Sequence, residues 1–164
     1  EDRIKSGLVG CLSIEDNITM PNLKKLSKRF LIDKRAQREI TELNRVDLGI
    51  SCSSVTQRVD QLSGGNQQKV LLGSALSSNP DVLILIHPTA GVDIASKATI
   101  LDIVERRRHQ GLAIIIVSDE PEELTFCDRV QVWVRGKKIA ERSGMSEKEL
   151  IAAMEGLDGN QVSP

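Results

Sequence analysis

The string best suited to chemistry in this 164-residue chain is Leu62-Ser63-Gly64-Gly65-Asn66-Gln67-Gln68-Lys69. Its serine can cap a helix that begins at the two glycines, which leave the backbone N–H groups of the first turn unobstructed. The positive end of the helix dipole favours an anion there, so the string is suited to binding a phosphate group. An ordinary glycine-rich helix start has the same pattern, and the spacing alone does not separate these two interpretations.

Two other segments could carry chemistry, because each follows an apolar run. Val82 to Ile86 leads into His87, and Leu112 to Val117 leads into a segment that contains Asp119. Apolar runs without alternation are typical of strands that are buried on both faces of a parallel sheet. Chemistry in such sheets lies at the carboxyl ends of the strands. These two loops therefore join the helix start at Ser63 as candidate site segments.

The elements that must position these segments follow an α/β pattern. Apolar residues at helical spacing after Ser63 predict a helix that stops at Asn79-Pro80. A second amphipathic helix is predicted between the two apolar runs, and Gly111 ends it. Strand, helix and strand in this order predict a right-handed βαβ unit.

The first part of the chain is polar and carries helix signals. Asp33 can cap a helix whose apolar positions are Ala36, Ile40 and Leu43. Between Lys24 and Arg38 the chain has seven basic residues and one acidic residue. Such a charge run is more typical of a solvated helical face than of a docking patch, and both interpretations stay open.

The last part of the chain predicts a hairpin and a helix. Apolar and polar residues alternate over 130–134, Arg135-Gly136 forms a turn, and 138–141 returns antiparallel. Ser146 and Glu149 have the spacing of a capping box for a final helix. The tail from Leu157 is expected to be loose.

The composition is that of a globular domain. Apolar residues make up 40% of the chain and charged residues 27%, and the net charge of −1 gives no general attraction for nucleic acid. Only Trp133, Phe30 and Phe126 are aromatic, so a ladder of stacked bases is almost excluded. The longest apolar run has six residues, far short of the roughly 18–20 needed to span a bilayer.

The three cysteines indicate neither a disulfide framework nor a zinc site. Cys11, Cys52 and Cys127 are odd in number, widely spaced and form no CxxC pair. Each is expected to be a small buried hydrophobic residue. Three reduced thiols, with no apolar signal-peptide stretch behind the start, suit a cytosolic protein.

LSGGNQQKV resembles the signature motif of ATP-binding cassette (ABC) ATPases, in the form typical of carbohydrate importers. The similarity continues in order and spacing. The run over 82–86 stands where the family has its Walker B strand, His87 to Asp93 stands at the importers' Glu-Pro-Thr-Arg-Gly-Val-Asp, and Ser118 to Leu124 is similar to their switch segment. The beginning of the chain resembles the stretch just past the Q-loop in the second cassette of two-cassette sugar ATPases. The resemblance covers about residues 1–155.

The resemblance implies part of a P-loop NTPase of the ABC type. It implies a helical subdomain that includes the signature helix over 1–79, a partial ATPase core over 80–141, and a C-terminal helix with a loose tail over 142–164. The sheet of the core is expected to be mostly parallel and to lack the Walker A strand, with a strand pair and a helix after it. The chain is accordingly expected to begin after the Walker A and Q-loop region.

Three departures from the family pattern predict a hydrolytic site that is degenerate in this chain. No GxxxxGK[ST] occurs, so the loop and the lysine that hold the phosphates are missing. The Walker B aspartate and glutamate positions are occupied by Ile86 and His87, and isoleucine cannot ligate Mg²⁺. Asp119 occupies the position of the family's switch histidine, and its carboxylate would repel a γ-phosphate. His87 is therefore expected to be structural or inert, and no metal site is expected.

The part of the ABC pattern that remains is the part that acts on a partner. In the family, two cassettes dimerise head to tail, and each ATP lies between one Walker A and the other signature. The resemblance thus implies that the chain contacts ATP held by a second cassette, in the same or another chain, as the nucleotide-binding subunit of a carbohydrate importer. The implied ATP contacts are Ser63, Gly64, Gly65, Asn66 and Gln67, with Gly91 and Asp93 in the D-loop.

The same resemblance implies the cofactors, partners and location. ATP and Mg²⁺ are expected only in the assembled transporter, with none bound to this chain alone. The expected partners are the second cassette, transmembrane permease subunits and, indirectly, a periplasmic or extracellular sugar-binding protein, but no nucleic acid. The chain would then be peripheral on the cytoplasmic face of the plasma membrane.

Other interpretations remain open at this point. The chain could be a binding or regulatory module without nucleotide chemistry, although its neutral charge and scarce aromatic residues argue against a nucleic-acid partner. It could also be an excised fragment with no independent activity, which the residues at 86 and 87 favour. Hydrolysis of ATP by the chain alone is not expected.

Overall fold

The structure is a computed structural model that describes residues 7–28, 31–144 and 146–155. The chain divides into two compact units, one of Glu1–Leu83 with Pro88–Ile115 and the other of Ile84–His87 with Ile116–Pro164. The boundaries of these units differ from the predicted domain boundaries, which follow residues 79 and 141. The division into three domains stays a prediction. The loose tail predicted from Leu157 lies outside the described residues.

Helices dominate the first unit. Side chains at four helix starts, Ser13, Asp33, Ser63 and Asp93, each accept a hydrogen bond from the backbone N–H three residues on, so the predicted caps at Asp33 and Ser63 are confirmed. No helix in the described ranges is long and apolar enough to cross a membrane. The helices are α1 (Ile14–Thr19), α2 (Leu23–Leu26), α3 (Lys34–Asp47), α4 (Gly64–Ser77) and α5 (Ile94–His109), and a short antiparallel pair is formed by β1 (Ser27–Lys28) and β2 (Leu31–Ile32).

The core of the first unit is aliphatic, as the scarcity of aromatic residues requires. Helix α1 packs against both α3 and α4. Gly73 lets α4 pack closely against Leu48, because a Cβ at this position would lie 2.9 Å from Leu48 Cδ1. The buried side chains that fill this core include Ile14, Ile18, Leu48, Ile50, Val59, Val70 and Leu72.

The predicted apolar face of α3 is wrong at Leu43, while Ala36 and Ile40 are half-buried. Leu43 is 67% exposed, whereas Gln37 and Thr41 are fully buried. Gln37 Nε2 donates to Thr19 Oγ1 at 2.9 Å and to Asp16 Oδ1 at 3.0 Å, so that α3 meets α1 through a polar contact. Burial alone would raise the pKa of Asp16, but hydrogen bonds from Ser13, Gln37 and Lys34 outweigh it and lower the pKa. The face of α3 turned inward is thus the one that matches polar groups on α1.

Strands β3 (Val82–Ile86) and β4 (Ala113–Val117) form a parallel pair. The Ala113 amide donates to the Asp81 carbonyl at 3.4 Å, and the His87 amide donates to the Val117 carbonyl at 2.9 Å, so the two strands run in the same direction. Strand, helix and strand follow in the predicted order. The predicted burial on both faces is wrong, because every second side chain of both strands is exposed. The exposed side chains are Val82, Ile84, Ile86, Ala113, Ile115 and Val117.

The second unit contains the predicted hairpin and final helix. Strands β5 (Val130–Val134) and β6 (Lys137–Arg142) pair antiparallel around the turn at Arg135-Gly136. Helix α6 (Glu147–Met154) begins at a complete capping box between Ser146 and Glu149. Both predictions are confirmed. The buried cluster of this unit consists of Leu124, Val130, Val132, Ala140, Leu150 and Ala153.

All three cysteines are free thiols, but they are not the buried residues that the sequence predicts. Cys11 is exposed, and Cys52 and Cys127 are half-buried. Partial burial is the main cause that raises the pKa of the Cys52 thiol above its ordinary value. The prediction of burial assumed that each thiol replaces an apolar side chain in the core, whereas Cys127 only packs against the buried cluster of the second unit and stays partly open.

Candidate functional site

Ser63 occupies the position that the phosphate-site prediction requires. It is the N-cap of the 14-residue helix α4, with extended backbone angles of φ −61° and ψ 156°. Its Oγ accepts from the Asn66 backbone N–H at 3.5 Å and from Asn66 Nδ2 at 3.0 Å. The residue is exposed, so a hydroxyl group stands in solvent at the positive end of a long helix.

The side-chain amides of Asn66 and Gln67 are bonded inside their own unit. Asn66 Oδ1 accepts from the Ser51 backbone N–H at 2.8 Å, and Asn66 Nδ2 donates to Ser63. Gln67 Nε2 donates to the carbonyls of Val59 at 3.3 Å and Leu62 at 3.1 Å. These bonds hold the preceding loops against the start of α4. The predicted contact of Asn66 and Gln67 with a partner's ATP stays a prediction.

Gly65 is buried, and its neighbour is Ser96 of α5. A Cβ built at residue 65 would lie 2.1 Å from Ser96 Oγ and 2.6 Å from Ser96 Cβ. A glycine is therefore required here by the packing of α4 against the start of α5, whatever ligand binds nearby. Gly64, the first residue of α4, is half-buried.

The predicted D-loop residues lead into α5. Gly91 has φ +64°, which favours glycine, and Asp93 is the N-cap of the helix. Asp93 accepts from the Ser96 backbone N–H at 2.9 Å and from Ser96 Oγ at 2.7 Å. These two hydrogen bonds lower the pKa of Asp93. Ser96, which joins the start of α5 to Gly65, was missed from the sequence, and its only signal is the three-residue spacing from Asp93.

The residues at the ends of β3 and β4 contact each other. His87 has a positive φ of 47°, and its Nδ1 lies 3.2 Å from Asp119 Oδ1. Each residue was singled out separately by its position after an apolar run, and their contact was not predicted. The Asp119 side chain is largely exposed, and that of His87 is about half exposed.

This strand end does not fit a magnesium ion. Mg²⁺ takes oxygen ligands, and the pair offers one carboxylate beside an imidazole, while Ile86 has no donor atom in its side chain. Over the described residues, no group of three or more His, Cys, Asp or Glu side chains could hold a metal ion. No catalytic step through a metal can be assigned to these residues.

Nearly the whole chain is similar in sequence to parts of named sugar-import proteins. It is 39% identical over 159 residues to the ribose import ATP-binding protein RbsA of Geobacillus kaustophilus, a match that covers 95% of this chain and 32% of the relative. It is 41% identical over 159 residues to the xylose import ATP-binding protein XylG of Moorella thermoacetica, covering 95% and 31%. The chain is a homologue of part of these sugar-import ATP-binding proteins. It spans about a third of their length.

Solved structures show the same fold. A dimeric ATP-binding cassette, MJ0796, in a post-hydrolysis state bound to ADP and Pi matches with a TM-score of 0.71 at 20% identity, over 84% of this chain and 59% of that one. The cassette MJ1267 in its ADP conformation matches with a TM-score of 0.67 at 22% identity, over 89% and 60%. No family model matches the chain.

These comparisons confirm two predictions. The resemblance to ABC ATPases of carbohydrate importers is confirmed by the relatives. The α/β class, with part of the fold of an ATP-binding cassette, is confirmed by the solved structures. The individual site residues are left as proposals.

Proposed function

We propose that this chain is a nucleotide-binding part of a sugar importer and that it completes an ATP site held mainly by a separate cassette. Relatives named as ribose, arabinose and xylose import proteins support the class of transporter. The observation that carries the proposal is the exposed Ser63 hydroxyl at the positive end of α4, within the string that resembles the ABC signature.

The proposed chemistry at this end is stabilisation of charge. The Ser63 hydroxyl and the first-turn backbone of α4, which begins at Gly64 and Gly65, face the γ-phosphate of ATP on the partner. Their dipoles stabilise the charge that develops as the phosphoryl group is transferred. Asn66 and Gln67 hold the shape of this end, and Gly91 with Asp93 forms the adjacent D-loop.

In this proposal the partner cassette provides the phosphate-binding loop, the Mg²⁺ ligands and the base. Ile86, His87 and Asp119 of this chain take no part in hydrolysis, because they fit neither a magnesium ion nor the carboxylate that would orient the attacking water. One site of the pair is then competent and the other is silent.

The proposed partners follow from the class of transporter. ATP binding closes the two cassettes on each other, and this chain passes that closure to membrane permease subunits, while the sugar-binding protein acts on the permease from the other side. The chain would be held at the cytoplasmic face of the membrane through the permease. The basic stretch from Lys24 to Arg38 is a candidate for that contact.

The test uses the complex that a tagged copy of this chain recovers from its own cells. Ser63→Gly removes the hydroxyl but leaves a residue that is acceptable at an N-cap, so the helix loses only a few tenths of a kcal/mol. ATP turnover of the complex should fall about 10- to 100-fold, the effect of losing one hydrogen bond to a charged group. Ser146→Gly makes the same change at the N-cap of α6 and should leave turnover unchanged.

Two results would end the proposal. One is that the recovered complex contains no cassette with a complete GxxxxGK[ST] motif. The other is equal turnover in the wild-type and Ser63→Gly complexes.

A further inference from the structure

We infer that Asn66 is a positioning residue that turns the hydroxyl proton of Ser63 outward, toward the phosphate. The ligand is the one in the proposed function, on which the inference rests. The geometry comes from three hydrogen bonds within the first unit, which run from the Ser51 backbone through the Asn66 amide to the Ser63 hydroxyl.

The Ser51 backbone fixes the orientation of the Asn66 amide. The distance from the Ser51 nitrogen to Asn66 Oδ1 is 2.8 Å. A backbone N–H can only donate, so the amide oxygen must face Ser51 and the amide nitrogen must face Ser63. The loop that carries Ser51 is held by α4 itself, because Lys69 Nζ donates to the Gly49 carbonyl at 3.0 Å.

The Ser63 hydroxyl can then act in only one way toward a ligand. It has one proton and two acceptor positions. Asn66 fills both acceptor positions, with its backbone N–H at 3.5 Å and its Nδ2 at 3.0 Å. No acceptor for the Ser63 proton is found in the part of the chain that the structure describes. The hydroxyl is left to donate outward, which suits a phosphate oxygen and not a cation.

Replacing the Asn66 amide by a carboxylate reverses the direction in which the Ser63 hydroxyl proton points. In Asn66→Asp, the side chain can still accept from Ser51 but cannot donate to Ser63, so it accepts the hydroxyl proton and turns it inward. In Asn66→Ala, the bond to Ser51 is lost, but the hydroxyl stays free to rotate outward. We therefore expect Asn66→Asp to impair the ligand contact more than Asn66→Ala does.

The experiment measures ATP turnover of the recovered complex for Asn66→Asp, Asn66→Ala, Ser63→Gly and the Ser63→Gly/Asn66→Asp double variant. Asn66→Asp should lower turnover about tenfold and Asn66→Ala by less, because only the first removes the outward donor completely. The double variant should match Ser63→Gly within about twofold, since residues that act through one group are not additive. Asn44→Asp on α3, where Nδ2 donates to the Ile40 carbonyl, is the matched control and should behave as wild type.

The alternatives give different results. If Asn66 only holds the loop, Asn66→Ala loses the Ser51 bond that Asn66→Asp keeps, and the greater loss in the alanine variant would overturn the inference. If the new charge simply repels the phosphate, the double variant falls below Ser63→Gly, which would also overturn it. If turnover is normal in Asn66→Asp but low in Ser63→Gly, the inference about Asn66 is wrong and the proposed function stands. If turnover is normal in Ser63→Gly, the proposed function itself is wrong.

Discussion

Gly65 meets two separate requirements at the residue scale. In the proposed function it belongs to the helix end that faces a phosphate, yet its α-carbon is already covered by Ser96 of the same unit. A larger residue at 65 would therefore disturb the packing of α4 on the start of α5 as well as any ligand. Loss of activity in a Gly65 variant cannot by itself report on the phosphate, and Ser63→Gly is the cleaner probe.

Gly65→Ala should lower the free energy of unfolding of the chain. The new Cβ would lie 2.1 Å from Ser96 Oγ and 2.6 Å from Ser96 Cβ, and overpacking of this kind costs about 1–3 kcal/mol. Ser96→Gly in the same chain removes both atoms, so the double variant should lose clearly less than the sum of the two single variants. Urea denaturation of the four proteins measures this coupling. If the changes in the free energy of unfolding are strictly additive, Ser96 is not the neighbour that makes glycine necessary at position 65.

Local signals in the sequence were sufficient for some site residues and not for others. Ser63 could be predicted because a cap depends on residues three positions away, whereas Asp93 was named only through the resemblance to the D-loop. The contact between His87 and Asp119 and the bond from Ser51 to Asn66 join residues that are distant in the chain. Their partners are fixed by the tertiary fold, which no local pattern encodes.

At the scale of elements, the burial of α3 depends on what α1 presents to it. Hydrophobic periodicity predicts the apolar face, on the assumption that the partner is apolar as well. Helix α1 instead presents Asp16 and Thr19 to α3, and Gln37 matches these polar groups. The exposed faces of β3 and β4 have a related cause, since an apolar run does not reveal whether another layer covers each face of the sheet. The types of α3 to α6 and of β3 to β6 were predictable, but the buried faces of α3, β3 and β4 were not.

Two substitutions on α3 test this arrangement. Gln37→Leu should lower the free energy of unfolding by about 1–3 kcal/mol, because Thr19 and Asp16 lose their donor in a buried contact. Leu43→Gln should change it by less than about 0.5 kcal/mol, since Leu43 is 67% exposed. Urea denaturation of each variant of the 164-residue chain gives both numbers. The reverse order of the two effects would mean that α3 packs through the face that the periodicity predicted.

At the scale of the whole molecule, the chain combines a well-formed signature end with a strand end that cannot hold a metal. It spans about a third of the length of the sugar-import relatives, and no GxxxxGK[ST] occurs in its 164 residues. The triphosphate of ATP is bound mainly by the backbone amides and the lysine of such a loop. A single hydroxyl at a helix start has too few donors to replace it, and in the proposed function the ATP that Ser63 contacts is held by another cassette.

The isolated chain should therefore neither hydrolyse ATP nor bind it tightly. With ATP and Mg²⁺, we expect no turnover above the rate without protein, and a dissociation constant by calorimetry weaker than about 1 mM. Ile86→Asp/His87→Glu adds two carboxylates at the end of β3 and should still give no turnover, because those carboxylates act only on a phosphate chain that is already held. The complex recovered from cells, assayed in parallel, controls for active nucleotide and conditions. Turnover by the isolated double variant, or tight binding by the wild-type chain, would place a complete nucleotide site in this chain and contradict the division of labour between the two cassettes.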